Sequence, residues 1–292
     1  MVNLRHETIG VVGVGLLGSA LVQRLTSSEF SVVAFDTDPV RQAPAVRAGA
    51  VMLDSAREVA SRASRIMLSL PTTAVCGSVL AELEPVFAVG DIVLDTTTGD
   101  PDAMSGFAEG LASRGIAYLD TSVSGSSTQV GRGEAILLVG GERSGFDACV
   151  DIFERLASRT FYLGRSGSGA RMKLVVNLAL GLHRAVLAEA LAFAESYGLD
   201  AAETLEVLRS GPAYSRVMDG KGFRMARREF EPEARLAQHA KDVRLILEQA
   251  EVSGALVPLS TVHLQMLDRA AELGLGSLDN SAIIELYRHD AK

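Results

Sequence analysis

The first half of the chain alternates short apolar runs with stretches in which apolar residues recur every three or four positions. Short apolar runs are typical of buried strands, and the longer periodic stretches are typical of amphipathic helices. The runs lie at residues 9–12, 31–35, 65–70, 91–95, 116–120 and 135–139. Their alternation with helical stretches predicts an α/β fold with a doubly wound parallel sheet.

From Gly167 onward this alternation almost disappears, and long amphipathic stretches continue to the C-terminus. The second half is therefore predicted to be all helical. Residues 170–197 are predicted to form one long helix that leads the chain out of the sheet domain. We expect two domains, formed by residues 1–164 and 165–292.

A glycine-rich turn follows the first predicted strand and precedes a helix predicted over residues 19–28. It consists of Gly13, Val14, Gly15, Leu16, Leu17 and Gly18. Gly13 permits a tight turn, Gly15 lets the backbone approach a pyrophosphate, and Gly18 lets the helix pack closely on the strand. The N–H groups at the start of the helix would face the phosphates. This context predicts a dinucleotide site in a Rossmann-type first domain.

An acidic residue ends the second predicted strand and bears on the choice of cofactor. The carboxylate of Asp36 can accept a hydrogen bond from a ribose 2′-hydroxyl, whereas it would repel a 2′-phosphate. The sequence therefore predicts NAD as the cofactor. Arg41, five residues further on, could reach a 2′-phosphate and leaves NADP open as the alternative.

Polar clusters follow three further predicted strands, where ligands bind in open α/β sheets. Leu70 and Pro71 could form a wall of the cofactor site, and the hydroxyls of Thr97 and Thr98 would lie beside the nicotinamide ribose. The third cluster, residues 120–126, offers small side chains and N–H groups suited to a carboxylate. Each cluster could also be an ordinary turn, but their placement at successive strand ends favours a site.

A lysine and an asparagine lie four residues apart near the start of the long predicted helix. This spacing places Lys173 and Asn177 on one helix face. The helix macrodipole and partial burial would both favour a neutral lysine, which could exchange a proton with a substrate hydroxyl. The alternative is a surface lysine whose stem covers apolar surface.

Composition excludes several classes of protein. The net charge is −8 without a basic run, so nucleic acid is not an expected partner. Residues 1–7 lack the apolar stretch of a signal peptide, and the apolar segment 178–194 contains His183, Arg184 and Glu189, which argues against a membrane span. The two cysteines lie far from any histidine cluster, so no metal site is expected. We expect a cytoplasmic protein.

The long predicted helix is apolar over much of its circumference, and such a helix must be covered on more than one side. The first domain can cover only one side. We therefore expect a homodimer or homotetramer whose interface lies in the helical half. The apolar residues are Leu174, Val175, Leu178, Leu180, Leu182, Val186, Leu187, Leu191 and Phe193.

Taken together, these motifs resemble the β-hydroxyacid dehydrogenases, a family that includes 3-hydroxyisobutyrate dehydrogenase, tartronate semialdehyde reductase and glyoxylate/succinic semialdehyde reductases. The resemblance covers essentially the whole chain. It rests on the glycine-rich turn, Asp95-Thr96-Thr97-Thr98 with Pro101, Asp120 to Gly125, Gly167-Ser168-Gly169 through Lys173 and Asn177, and Lys241-Asp242.

The resemblance implies specific roles. The counterpart of Lys173 is the catalytic acid/base, and that of Asn177 orients the substrate. The counterparts of Ser124 and Gly125 bind the substrate carboxylate, with Ser126 beside them. Lys241, together with Asp242, is expected beside the cofactor. The implied reaction is hydride transfer between a nicotinamide cofactor and a small β-hydroxyacid or the corresponding semialdehyde or keto acid.

Several departures from the family pattern affect substrate identity and remove no catalytic group. The family commonly has other residues where this chain has Ser122, Ser126, Arg171, Leu178 and Ala234. Two other functions compete with this interpretation. One is an imine reductase of the same fold, which usually lacks a lysine at the Lys173 position. The other is a non-catalytic binding homologue.

Overall fold

A computed structural model describes residues 8–290. Their contacts divide the chain into two units, Met1–Lys173 and Leu174–Lys292. The division falls inside a long helix, whereas the sequence predicts it after residue 164.

The first unit contains an eight-stranded sheet with the order β3-β2-β1-β4-β5-β6-β7-β8. Neighbouring strands are parallel except β6 and β7, which are antiparallel. The doubly wound sheet predicted from the alternation is therefore confirmed. The strands are β1 (Thr8–Val12), β2 (Ser31–Phe35), β3 (Val51–Met52), β4 (Arg65–Leu68), β5 (Ile92–Asp95), β6 (Ala117–Ser124), β7 (Ile136–Gly140) and β8 (Arg159–Tyr162).

Helices connect these strands. They are α1 (Leu16–Ser27), α2 (Pro39–Arg47), α3 (Ala56–Arg62), α4 (Thr73–Leu83), α5 (Pro101–Ala112), α6 (Ser127–Gly131), α7 (Arg143–Asp147) and α8 (Val150–Leu156), with a 3₁₀ turn at Glu84–Val86. Successive strand residues such as Val11 and Val12, or Met67 and Leu68, belong to two separate apolar clusters. Central strands such as β1 and β4 are thus buried on both faces, which explains why they are continuous apolar runs in the sequence.

The long helix α9 (Ser168–Ser196) crosses the division between the units. The second unit continues with α10 (Ala201–Ser210), a π-helical turn (Met218–Gly222), α11 (Phe223–Arg227), α12 (Leu236–Ser253), α13 (Pro258–Glu272), 3₁₀ turns at Leu275–Ser277 and Asn280–Ile283, and α14 (Ile284–Asp290). Its core includes Leu187, Leu191, Leu205, Leu236 and Leu267. The predicted all-helical second half is confirmed.

Helix α9 is long and apolar enough to cross a membrane when length and hydropathy alone are considered. This is weak evidence, because buried core helices of other proteins pass the same test. Three polar residues, His183, Arg184 and Glu189, lie within the helix, and Arg184 is buried. Length and hydropathy alone therefore do not make α9 a membrane span, in agreement with the expectation from the sequence.

Candidate active site

The glycine-rich turn connects β1 to α1, and its three glycines have different surroundings. Gly13 has a φ of 92°, and a Cβ there would overlap the carbonyl oxygen of Ser69. A Cβ on Gly18 would overlap the carbonyl oxygen of Gly13. A Cβ on Gly15 would meet only Arg41 Nη1, at 3.9 Å. Gly13 and Gly18 are thus required by packing, whereas the space above Gly15 is open.

The start of α1 has no side-chain cap and no acidic residue in its first turn. The N–H groups of the first turn of a helix have no intrahelical acceptor and attract anions. Gly15 is the N-cap, with Leu16 and Leu17 as the first helical residues. The open space above Gly15 and this uncapped helix end together fit the pyrophosphate of a dinucleotide.

Asp36 follows β2 and is held against the glycine-rich turn. Its Oδ2 accepts the N–H of Val14 at 2.8 Å, and its Oδ1 accepts the N–H of Asp38 at 2.9 Å. Arg41 is exposed and pairs with Asp38 at 3.1 Å. The carboxylate therefore occupies a fixed position against the turn, and the ion pair of Arg41 is with Asp38.

The two predicted loops after β4 and β5 are joined by a hydrogen bond. Leu70 N–H donates to Thr97 Oγ1 at 3.3 Å, and Thr97 N–H donates to Asp95 Oδ1 at 2.9 Å. Thr97 is buried, Thr98 is half-buried and Pro71 is exposed. Because β4 and β5 follow β1 in the sheet order, these loops lie at the same edge of the sheet as the glycine-rich turn.

The predicted substrate loop is partly strand. β6 extends to Ser124 because residues 120–124 pair with β7, so the strand does not end at Asp120 as predicted. Gly125 follows the strand, and Ser126 caps α6, where its Oγ accepts the N–H of Gln129 at 3.3 Å. The Ser126 hydroxyl therefore retains its proton and one acceptor lone pair for a ligand. Ser122 is buried, and among residues 8–290 its Oγ has no hydrogen-bond partner.

Asp120 anchors the start of α9, a role that the sequence analysis missed. Its Oδ1 accepts the N–H of Gly167 and its Oδ2 accepts the N–H of Ala170, both at 2.8 Å. Burial raises the pKa of this fully buried carboxyl, although these N–H groups oppose the shift. The carboxylate lies at the positive end of the helix macrodipole and offsets it. It also fixes the backbone three residues before Lys173.

Lys173 is in the second turn of α9 and is 9% exposed. The alternative of a surface lysine therefore does not hold for this side chain. A macrodipole acts mainly within the first turn, and Asp120 offsets it here. Burial of Lys173 therefore favours its neutral form more than the helix macrodipole does.

In the second unit, Asn177 is held by an acidic residue of α12. Asn177 Nδ2 donates to Asp242 Oδ2 at 3.0 Å, and Asp242 Oδ1 is 3.2 Å from the Lys241 ammonium. Asn177 and Asp242 are both buried. This bond orients the amide, so that Asn177 Oδ1 is directed away from the Asp242 carboxylate.

Hydrogen bonds to a buried carboxylate hold the segment that contains Ala234 in place. Asp279 accepts the N–H groups of Glu233 and Ala234 at 3.1 and 3.2 Å, and Lys221 binds both of its oxygens at 2.9 Å. Burial would raise the pKa of Asp279, but Lys221 and the hydrogen bonds from Ser281 lower it to about 2. Ala234 is therefore well positioned, but its side chain is small.

No group of three or more His, Cys, Asp and Glu side chains within residues 8–290 could hold a metal ion. The residues that could hold a ligand are instead those of the glycine-rich turn and the neighbouring strand ends. Backbone N–H groups, hydroxyls and one carboxylate are suited to a dinucleotide.

Two family models match consecutive parts of the chain. Residues 8–164 match the NAD binding domain of 6-phosphogluconate dehydrogenase. Residues 167–287 match the NAD-binding domain of NADP-dependent 3-hydroxyisobutyrate dehydrogenase. Together they cover nearly all described residues.

Curated relatives align over almost all of this chain. Glyoxylate/succinic semialdehyde reductase 1 of Arabidopsis thaliana is 30% identical over 287 residues, which are 96% of this chain and 98% of that protein. Cytokine-like nuclear factor N-PAC of Drosophila melanogaster is 27% identical over 95% of this chain. The chain spans about half of that second relative, 47% of its length.

Solved structures share the fold. A 3-hydroxyisobutyrate dehydrogenase from Salmonella typhimurium has a TM-score of 0.88 and 23% identity, with 96% of this chain and 99% of that chain covered. An imine reductase from a Pseudomonas species has a TM-score of 0.67 and 20% identity, with 96% and 99% covered. At these identities the likeness concerns the fold alone.

Proposed function

We propose residue roles for this chain, which belongs to the β-hydroxyacid dehydrogenase family. It is an NAD(P)-dependent oxidoreductase that acts on a small molecule, a hydroxyacid or the corresponding semialdehyde or keto acid. The observation that carries the proposed mechanism is the buried Lys173, whose backbone is fixed to the sheet through Asp120.

The cofactor would be held by the glycine-rich turn and the strand ends beside it. The N–H groups of Leu16, Leu17 and Gly18 would bind the pyrophosphate, and Asp36 would accept a hydrogen bond from the adenosine ribose. Leu70, Pro71, Thr97 and Thr98 would border the nicotinamide end, and Lys241 and Asp242 are assigned to the cofactor by resemblance. When bound, the nicotinamide supplies or accepts the hydride.

Lys173 would exchange the proton of the reaction. In oxidation its amine accepts the proton of the substrate hydroxyl, and in reduction its ammonium donates a proton to the forming alkoxide. The anchored start of α9 limits movement of this side chain, and fixed geometry is a major source of rate enhancement.

Asn177 and the residues after β6 would hold the substrate. Because Asp242 takes one N–H of Asn177, the amide carbonyl is left to accept a hydrogen bond from a substrate hydroxyl. Ser124 and Gly125 would bind the substrate carboxylate, and the Ser126 hydroxyl could donate to it as well. Ala234, where related enzymes often have an aromatic residue, leaves room that bears on substrate size.

Two alternatives are less well supported. Lys173 counts against an imine reductase, because such enzymes usually lack a lysine at this position. The bonded pair of Asn177 and Asp242, together with Lys173, counts against a non-catalytic binding protein. The net charge of −8 counts against binding to nucleic acid. A cytoplasmic location stays a prediction.

A panel assay tests the proposed function. Purified protein would be tested with small hydroxyacids, semialdehydes and cyclic imines, each with both nicotinamide cofactors, by the absorbance of the reduced cofactor. We expect turnover of a hydroxyacid or semialdehyde. Turnover of the imines alone would show an imine reductase, and no turnover together with cofactor binding would favour the binding homologue.

The cofactor preference is predicted from Asp36. The wild-type protein should have a higher kcat/KM with NAD(H) than with NADP(H), because the carboxylate repels a 2′-phosphate. Asp36→Ala should reduce that ratio by about tenfold or more. Asp36→Ala also removes the hydrogen bond to Val14 N–H, which affects the binding of both cofactors. Because this effect cancels in the ratio of the two kcat/KM values, the ratio reports the 2′-phosphate alone.

Asp147, an exposed residue of α7, provides the control: Asp147→Ala also removes one negative charge and should leave the ratio unchanged. A wild-type protein that already prefers NADPH would show that the assignment of Asp36 is wrong. Arg41, close to Gly15, would then be the residue that binds the phosphate.

The chain is predicted to form at least a dimer through α9. Val175, Val186 and Phe193 are 60%, 66% and 62% exposed, and their spacing places them on one side of the helix. An apolar stripe of this length is rarely left in water. Light scattering at micromolar concentration should therefore give at least twice the mass of one chain. A mass near 30.8 kDa would refute the prediction.

Variants localise this interface. The double variant Val186→Glu with Phe193→Glu should have the mass of a monomer, because two charges would otherwise be buried in an apolar contact. Val207→Glu, on α10 and 73% exposed, is the matched control and should not change the mass. Dissociation by the control alone would place the interface elsewhere.

A further inference from the structure

A fully buried carboxylate lies at the end of β5, outside the residues assigned above to cofactor or substrate. Asp95 accepts three hydrogen bonds. Thr97 N–H donates to Oδ1 at 2.9 Å, and both the Cys76 thiol at 2.9 Å and the Tyr118 hydroxyl at 2.6 Å donate to Oδ2. A buried carboxylate is costly unless its oxygens accept hydrogen bonds, so each donor is needed.

The donors come from different elements of the first unit. Cys76 lies on α4 and Tyr118 on β6, and both side chains are buried. Burial, reinforced by the Asp95 charge, raises the pKa of the Cys76 thiol and of the Tyr118 hydroxyl. Both groups therefore keep their protons and act as donors at any physiological pH.

The hydrogen-bond chain continues from Asp95 to the strand ends. Thr97, whose N–H binds Asp95, accepts the Leu70 N–H through its Oγ1 at 3.3 Å. The carboxylate thereby connects the loop after β5 to the loop after β4. The glycine-rich turn packs against Ser69, beside Leu70, but it also has hydrogen bonds of its own. Gly13 N–H donates to Phe35 O at 2.8 Å, and Val14 N–H donates to Asp36 Oδ2.

We propose that Asp95, Cys76 and Tyr118 form a positioning cluster that fixes Leu70 and Thr97 for the nicotinamide half of the cofactor. This inference rests on the proposed roles of Leu70 and Thr97. None of the three cluster residues is expected to touch the cofactor. Losing the Cys76 or the Tyr118 donor leaves the buried Oδ2 with one partner fewer. The carboxylate would then rotate to recover a partner, which would weaken the hydrogen bond from Thr97 N–H to Oδ1. The glycine-rich turn keeps its own bonds, so the adenosine half of the site is unaffected.

The test compares two tyrosine variants by calorimetric binding of NADH and of ADP, which lacks the nicotinamide half. Tyr118→Phe removes one donor from Asp95. Tyr162→Phe is the matched control, because the Tyr162 hydroxyl donates to Gly141 O at 2.9 Å within the same unit. We expect Tyr118→Phe to raise the NADH dissociation constant by roughly fivefold to tenfold and to leave ADP binding unchanged. This change corresponds to part of the energy of one charge-assisted hydrogen bond.

A second pair of variants keeps the test independent of how well Tyr118→Phe folds. Cys76→Ala should weaken NADH binding relative to ADP, whereas Cys76→Ser, which retains a donor, should restore it. Cys149→Ala is the control, since Cys149 is equally buried and among residues 8–290 its thiol forms no side-chain hydrogen bond.

The outcomes separate this inference from the proposed function. A higher ratio of the NADH to the ADP dissociation constant in Tyr118→Phe and Cys76→Ala, but not in the controls, supports the positioning cluster. An unchanged ratio, or equal weakening of both ligands, overturns it while the proposed function stands. Failure of the wild-type protein to bind NADH would overturn both.

Discussion

Replacing Lys173 by alanine is expected to lower kcat at least 100-fold and to leave cofactor affinity close to that of the wild type. General acid–base groups typically contribute about 100-fold or more, and the proposed role of this side chain concerns a proton and not the dinucleotide. Steady-state turnover and NADH titration would measure the two quantities separately.

Lys173→Met is the matched variant, because methionine fills the buried space of the lysine stem without an exchangeable proton. It should be as inactive as Lys173→Ala and at least as stable. Retention of more than about a tenth of the wild-type kcat in either variant would show that another group exchanges the proton.

Two glycine variants in the same turn are expected to fail in different ways. Gly18→Ala should lower the free energy of unfolding by about 1–3 kcal/mol, because its Cβ would overlap the backbone oxygen of Gly13. Gly15→Ala should fold normally, since its Cβ meets no atom closer than 3.9 Å. That Cβ would instead occupy the space proposed for the pyrophosphate and weaken NADH binding by about tenfold or more.

Denaturant unfolding and NADH titration distinguish the two effects. Gly110→Ala, on α5 with no atom within 4 Å of the added Cβ, is the control. Alanine there should raise stability by up to about 1 kcal/mol through helix propensity. If Gly15→Ala binds NADH as tightly as the wild type, the assignment of the pyrophosphate to the glycine-rich turn is wrong.

The sheet and the glycine-rich turn could be predicted because their signals are local. Apolar runs such as residues 31–35 coincide with strands, and the glycines stand at the required spacing between a strand and a helix. Two strands, β3 (Val51–Met52) and β8 (Arg159–Tyr162), lie outside the predicted runs. The first has only two residues, and the second is half exposed, so neither has a strong apolar pattern.

The extension of β6 could not be predicted from its residues. Ser122 and Ser124 are typical of a turn, whereas Thr121 and Val123 favour a strand. The segment pairs with β7, whose partner residues lie further along the chain, and this tertiary pairing decides between the mixed local preferences.

The partners of the buried carboxylates were also hidden in the sequence. Asp120 binds the backbone of Gly167 and Ala170, 47 and 50 residues away, and Asp95 binds Cys76 and Tyr118 from two other elements. Nothing in the spacing of these residues signals the contacts. By contrast, Asn177 and Asp242 were already candidate site residues in the sequence, although only the structure shows that they are bonded to each other.

Transfer of a deuterium label tests the central claim most directly. The protein would be incubated with NADH that carries deuterium at both C4 positions and with the semialdehyde or keto acid that is turned over fastest, in ordinary water. The account predicts a hydroxyacid with one deuterium on the carbinol carbon, formed at least 100-fold more slowly by Lys173→Ala. A product without deuterium at that carbon, or equal formation by the Lys173→Ala variant, would contradict it.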